Sequence, residues 1–349
     1  MTQLPEIFET YKPYIEKEIK SLLCNTELLN ISKRKAALYE MMSYHMGWAD
    51  ETGAKITSNG GKYLRATLTL LSCESICGDF KIALPVAAAI ELIHNFSLVH
   101  DDIQDDDEIR RHRPTVWKIW GKPQAINVGS AMKTLANLSV INLKKNNIAA
   151  DKLIEVLKIL DESCLRMLEG QFLDIDFEAK PDVNTADYLK MIERKTAALI
   201  ECALQIGAVT VMDFSKINPF KNFGKYLGLA FQIRDDILGI WGNDKKTGKP
   251  SGNDLRKKKK SFPVVYVLSN ADSISKQNFL EIYSKDQILD SDIEKILEIL
   301  NNLNIRKVSE TKAQEFYDLA LAEIKKLPVK AEKIMHFKEI SNFLVNRDF

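Results

Sequence analysis

Asp101, Asp102, Asp105, Asp106, Asp107 and Glu108 crowd into one short stretch, and Arg110, Arg111 and Arg113 follow at once. Upstream, Pro85 suits the first turn of a helix, and the apolar residues from Val86 to Val99 recur on a helical period. Continued through the acidic block, that helix places Asp101 and Asp105 four residues apart on one face, with Asp102 beside them. Like charges at that spacing cost about 0.2–0.5 kcal/mol per pair, so something must compensate them. A hard divalent cation does so. Mg²⁺ takes one or two carboxylates, keeps some waters and shares phosphate oxygens of a substrate. The alternative is a solvated acidic cap on a helix end, but the cluster grows out of an apolar wall and not out of a polar face.

The run Phe231-Gln232-Ile233-Arg234-Asp235-Asp236-Ile237-Leu238-Gly239 repeats this arrangement, and a glycine- and lysine-rich loop trails it: Lys245, Lys246, Gly248, Lys249, Gly252, Asp254, Arg256 and Lys257 to Lys260. Two acidic helix ends, each followed by basic residues, describe a binuclear or trinuclear metal site that clamps a polyanion. Gly60, Gly61, Lys62 and Arg65 open another helix, where a phosphate cradle and an ordinary glycine turn fit equally well. Gln171 and Asp174 are polar interruptions of an apolar helix. Lys195 and Thr196 open a run of small and aliphatic residues. Taken alone such a pair is more often solvated, and facing a cavity it would need an anion or a developing charge.

The elements that must position these residues are helices. The chain has 349 residues with only 15 Gly and 10 Pro, and Leu, Ile, Lys, Glu and Ala dominate it, so an all-α chain is expected. Helical patterns run over 5–23, 32–47, 62–78, 85–105, 122–145, 150–172, 184–211, 218–240, 261–269, 275–283, 290–301 and 309–326, with a short one near the end. No internal repeat or low-complexity linker interrupts them, and one domain over 1–349 is expected. A net charge of +1 gives no sign of a nucleic-acid partner, and 45% hydrophobic residues suffice for a substantial core. The acid-bearing N-terminus does not resemble a secretory signal or a transit peptide, and no transmembrane segment is expected. The five cysteines are scattered and odd in number, as expected for reduced thiols of a cytoplasmic protein, although Cys73 and Cys77 could face each other.

Six segments in this order resemble the trans-prenyltransferases, the polyprenyl diphosphate synthases of the class I isoprenoid fold. They are GGKYLR from Gly60, HNFSLVHDDIQDDDEIRRHRPT from His94, GQFLD from Gly170, KTAAL from Lys195, FQIRDDILG from Phe231 and GKPSGNDLRKKKKSFP from Gly248. The resemblance implies a bundle of long helices around a central cavity and the joining of isopentenyl diphosphate to an allylic diphosphate, with loss of diphosphate. By position, Asp101, Asp102, Asp105 and Asp235 would hold Mg²⁺ on the allylic diphosphate, with Asp236 supporting them in the metal set. Three ions per site are expected, with Mn²⁺ as a substitute. Arg110, Lys195, Lys249 and Lys259 would contact the same diphosphate, and Gly61, Lys62, Arg65, His94 and Arg111 would bind the isopentenyl diphosphate. Thr196 and Gln232 would face the allylic cation as dipoles. Phe96 and Ser97, about one turn before Asp101, would set the tail length, in a pattern that resembles synthases making geranylgeranyl diphosphate. Homodimers are usual for the family.

Departures from the pattern are specific. Gly239 stands where the second motif usually has a third aspartate, and His112 and Lys258 each replace a usual glycine. A farnesyl or longer-chain synthase, a class I terpene cyclase, a regulatory subunit of a heteromeric synthase and a plain helical scaffold are the competing expectations. The two-diphosphate basic set speaks against the cyclase, and the intact first acidic motif against the subunit.

Overall fold

The computed structural model describes residues 4–24, 33–56, 61–178, 180, 182–242 and 252–346. The expected all-α architecture is present. In order the chain forms α1 (Glu6–Cys24), α2 (Lys33–His45), α3 (Leu64–Cys77), α4 (Leu84–Gln104), α5 (Val116–Trp120), α6 (Lys122–Ile141) and α7 (Ala150–Glu178). Then follow α8 (Thr185–Ile192), α9 (Ala198–Val211), α10 (Asn218–Trp241), α11 (Asn253–Arg256), α12 (Phe262–Asn270), α13 (Ser273–Tyr283), α14 (Asp290–Asn302), α15 (Ile305–Ile324) and α16 (Ala331–Val345). The exception is a two-stranded hairpin of β1 (Ile109–Arg110) and β2 (Arg113–Pro114), paired antiparallel.

The chain divides into two compact units. The first comprises Glu6–Asp161 and Cys202–Ile217; the second comprises Met1–Pro5, Glu162–Glu201 and Asn218–Phe349. In the first, α4 is the core helix, buried from Pro85 to Ile93, where every residue but Glu91 is apolar. Gly129 lets α6 lie close against it, since a Cβ there would meet His100 Nε2 at 2.4 Å, and the Ser139 hydroxyl donates to Pro85 O at 2.7 Å. Gly207 plays the same part for α3, where Thr69 O lies 2.2 Å from where its Cβ would be. A helical stretch from Phe80 to Gln104 is, by length and composition, apolar enough to cross a membrane, contrary to the expectation from sequence. Most of it is buried inside the protein, as a core helix requires. Cys73 and Cys77, one turn apart on α3, do face each other, with sulfurs 3.8 Å apart.

In the second unit α10 packs along α15, and Tyr188, Ile192, Ile233, Phe262 and Val265 close one core around the middle of α10. Ile240, Leu255, Val264, Phe279, Ile296 and Leu300 close another at its end. A side chain of this size contributes about 1.5–3 kcal/mol when fully buried. The expected helix over 184–211 is interrupted. Glu193–Ala197 winds as a π-helical turn between α8 and α9. Such turns are rare and re-aim side chains within a continuous helix.

Candidate active site

The first acidic cluster is built by the end of α4. The helix stops at Gln104 and Asp105 caps it, its N–H donating to Asp101 O at 2.9 Å, so Asp101 and Asp105 stay one turn apart as expected. Asp102 turns inward and is 2% exposed. Its Oδ1 accepts from Arg110 Nε at 2.7 Å, and its Oδ2 is buried without a hydrogen-bond partner. Arg110 Nη2 also stands 3.7 Å from Asp101 Oδ2, so this guanidinium supplies the compensation that the crowded carboxylates require. Burial pushes the Asp102 carboxyl up to about 6, against the opposing pull of Arg110.

Arg110 is placed by the hairpin. Its two turn residues, Arg111 and His112, both take left-handed backbone, with φ of 51° and 62°. That is the conformation a tight two-residue turn demands, and it explains why glycine is usual where His112 stands. Arg113 anchors the hairpin, donating to Ala49 O at 2.7 Å and to Tyr44 O at 3.3 Å while stacking 3.9 Å over the Tyr44 ring. Arg110, Arg111, Arg113, Asp102, Tyr44 and His45 line a cavity of about 210 Å³.

The residues expected to bind isopentenyl diphosphate meet in the same unit. The Arg111 guanidinium lies against Gly61, where a Cβ would sit 3.1 Å from Nη2, so a larger residue would crowd it. Lys62 is exposed beside it. Arg65, in the first turn of α3, keeps a buried Nε without a hydrogen-bond partner, and desolvation lowers its pKa to about 10. His94 is held well below the usual imidazole value, first by desolvation and then by Arg65 and Arg111, so it stands neutral among cations. Sequence spacing gave no sign of His45 or Glu91. His45 is kept neutral by burial and by Arg111 and Arg110, its pKa lowered to about 3, and Glu91 is buried with an unpartnered Oε2. Phe96 is 6% exposed and sets its ring edge-on to His100 at 4.9 Å, and the Ser97 hydroxyl donates back to His94 O at 2.7 Å.

The second cluster belongs to α10, in the other unit. Asp235 and Asp236 are neighbours with opposite surroundings. Asp235 is half-buried, whereas Asp236 is 6% exposed and its carboxylate is taken up by protein donors. Oδ2 accepts from the Tyr188 hydroxyl and, at 2.7 Å, from Phe262 N; Oδ1 accepts from Gln232 Nε2 at 3.0 Å. This suits the supporting part expected of Asp236. Burial raises its pKa to about 7 in spite of those three donors. The chain continues through Gln232 Oε1, which accepts from the Thr196 hydroxyl at 2.6 Å. Thus Thr196, Gln232 and Asp236 form one connected relay, with Tyr188 as the member that spacing did not reveal.

The π turn explains how Lys195 and Thr196 come to their positions. Gly170 on α7 approaches so closely that a Cβ would sit 2.1 Å from Lys195 N, and Lys195 Nζ reaches Asp174 Oδ2 at 2.5 Å. Lys259 donates its backbone N–H to Asp254 O at 3.0 Å, and Lys258 before it has φ 53°, again where glycine is usual. Lys249 and Gly60 lie outside the described residues.

Each acidic cluster, taken by itself, offers donors of the kind Mg²⁺ takes. Asp101, Asp105 and Asp235 offer hard oxygens that are not fully buried, and Asp102 keeps one buried oxygen unmated. Among the described residues no three His, Cys, Asp or Glu side chains form a ready-made cage. An ion that takes water and substrate phosphate as its remaining ligands needs none.

The polyprenyl synthetase family model matches residues 46–300. Geranylgeranyl diphosphate synthase of Mycobacterium tuberculosis is 36% identical over 295 residues, covering 84% of this chain and 83% of that protein. A (2E,6E)-farnesyl diphosphate synthase of Mycobacterium bovis is 32% identical over 311 residues, covering 88% and 85%. The crystal structure of geranylgeranyl pyrophosphate synthetase from Pyrococcus horikoshii superposes with a TM-score of 0.86 at 34% identity, over 98% of each chain. With both aspartate motifs, the hairpin arginines and the Thr196–Gln232 pair accounted for inside that match, the chain belongs to the polyprenyl synthetase family of prenyltransferases.

Proposed function

We propose that this short-chain prenyl diphosphate synthase condenses isopentenyl diphosphate with dimethylallyl, geranyl or farnesyl diphosphate and gives mainly geranylgeranyl diphosphate. The observation that carries the proposal is the end of α4: Asp101 and Asp105 one turn apart on a buried apolar helix, with Arg110 on the adjoining carboxylates. Mg²⁺, three ions with Mn²⁺ as a substitute, would be held by Asp101, Asp102, Asp105 and Asp235 and would draw charge from the leaving diphosphate. Arg110, Lys195, Lys249 and Lys259 hold the same diphosphate as its charge grows, where fixed donors are most effective. Lys195 has a partner of its own in Asp174, which fixes its reach. Thr196 and Gln232 turn their dipoles to the allylic cation, and the relay to Asp236 keeps Gln232 in one orientation.

Gly61, Lys62, Arg65, His94 and Arg111 bind the isopentenyl diphosphate. The neutral state of His94 lets it donate or accept without adding to the repulsion of the arginines around it. Apolar walls keep water from the cation. The departing diphosphate takes the final proton. Phe96, buried on α4, and Ser97 floor the tail cavity. A fifteen-carbon product is the second reading, because the relatives carry both names.

The two units work as one synthase domain, in the cytoplasm, in a homodimer. Leu165, Leu168, Phe172 and Ile175 form an apolar stripe on α7, between 41% and 68% exposed, that a second copy would cover. Incubation with isopentenyl diphosphate, Mg²⁺ and each allylic primer, followed by chromatography of the dephosphorylated alcohols, tests the reaction and its length. A twenty-carbon alcohol is expected; no Mg²⁺-dependent elongation from any primer would overturn the proposal.

A further inference from the structure

Gly239 follows Asp235 on α10 by four residues, the spacing that separates Asp101 from Asp105 at the end of α4. It therefore shares the face of Asp235, one turn on. At that place the first cluster has a second carboxylate, and α10 has no side chain.

The place is nevertheless filled. A Cβ built on Gly239 would stand 1.9 Å from Asp254 Oδ2 and 2.6 Å from its Cγ, so the Asp254 carboxylate lies where a side chain of residue 239 would begin. The backbone delivers it there. Gly252, with φ 70°, donates its N–H to Ile240 O at 3.1 Å, Arg256 N–H donates to Gly252 O at 3.0 Å, and the fully buried Leu255 packs against Ile240 and Val264. These contacts dock α11 on the last turns of α10.

We infer that Asp254 is a positioning residue for the divalent cation at Asp235: lying on the bare Cα of Gly239, its carboxylate takes the place one turn beyond Asp235 that α10's own sequence leaves without an acid. A side chain at residue 239 would displace that carboxylate. The inference rests on the proposed function, in which Asp235 holds Mg²⁺ on a diphosphate. The chemistry fits, since an added carboxylate beside a metal-holding aspartate raises the negative charge around a hard cation that keeps some of its waters.

Calorimetric binding of inorganic diphosphate, with Mg²⁺ and with EDTA, tests it on the native chain and on variants whose melting is followed in parallel. Asp254→Asn keeps the shape and removes the charge. Half-saturating Mg²⁺ should rise about tenfold or more, the usual effect of removing an outer partner of a metal ligand. Binding in EDTA should stay the same or tighten, because a negative charge is gone. Gly239→Asp should weaken the Mg²⁺-dependent binding as well, since both side chains cannot occupy one place. Gly239→Asp combined with Asp254→Gly should recover most of what Asp254→Gly alone loses. A native Mg²⁺ dependence in Asp254→Asn overturns the inference, as does equal weakening with and without Mg²⁺, or a double variant no better than Asp254→Gly. If the native chain binds diphosphate without any Mg²⁺ dependence, the functional reading itself fails and takes the inference with it.

Discussion

Replacing Asp236 by Ala strands three donors at once. The Tyr188 hydroxyl, Phe262 N and Gln232 Nε2 all point at its carboxylate from buried or half-buried positions. Each stranded donor costs about 1–3 kcal/mol. Part of that is returned, because the buried carboxyl is itself held uncomfortably, with a pKa raised to about 7 by desolvation. A net loss of about 3–5 kcal/mol follows, or roughly 10 °C in Tm at about 2–4 °C per kcal/mol for a unit of this size. Tyr188→Phe removes one donor and leaves the carboxylate its other two, so it should cost only about 1.5–3 kcal/mol. Urea unfolding followed by circular dichroism measures both. An Asp236→Ala protein within about 1 kcal/mol of native would refute the reasoning, since lost buried partners cannot be that cheap. A Tyr188→Phe protein as unstable as Asp236→Ala would refute it too, by putting the whole effect on one bond.

Three further outcomes are expected. Lys258→Gly should stabilise the chain by about 0.5–1 kcal/mol, because a left-handed φ of 53° strains a side-chain-bearing residue by more than the added freedom of glycine costs; unchanged urea midpoints would contradict it. The unfolded His45 takes up a proton near 6.5, whereas burial and the nearby arginines hold the folded one to about 3. Its folded pKa is depressed, so acid favours the unfolded chain: stability is lost as pH falls below 6.5, by about 1.4 kcal/mol per pH unit from this side chain, and His45→Gln should remove that part of the slope. His94 adds to the loss in the same direction, while the raised Asp236 and Asp102 carboxyls oppose it, so the test is the difference between the native chain and His45→Gln: a difference that stays flat from pH 7 to pH 5 would count against it. If Phe96 floors the tail cavity as proposed, Phe96→Ala should lengthen the product made by purified protein; an unchanged product length means that Phe96 is not the floor.

The helices were legible because few glycines and prolines punctuate long apolar periods, although their ends were less so: the helix expected over 150–172 runs on to Glu178, that over 122–145 stops at Ile141, and α5 was not expected. The acidic turns were legible for the same reason, since one turn of helix fixes Asp101 against Asp105 whatever surrounds them. What spacing could not show came from elsewhere in the chain. Tyr188 reaches Asp236 across 48 residues and Phe262 N across 26, and neither pairing leaves a periodic trace. The π turn at Lys195 lies against Gly170 of α7, a tertiary contact that no local period announces. His112 and Lys258 could be noted as departures in sequence, but only the backbone shows that both occupy left-handed positions.

In the proposed reaction both aspartate motifs serve one magnesium-dependent ionisation. Steady-state turnover of Asp101→Asn and Asp235→Asn, side by side with farnesyl and isopentenyl diphosphates at saturating Mg²⁺, tests that most directly. Each should fall about a hundredfold or more, the scale of losing one fixed stabiliser of developing charge, while melting with the native chain. Either variant turning over within about tenfold of native, a loss of barely 1.4 kcal/mol, would contradict it.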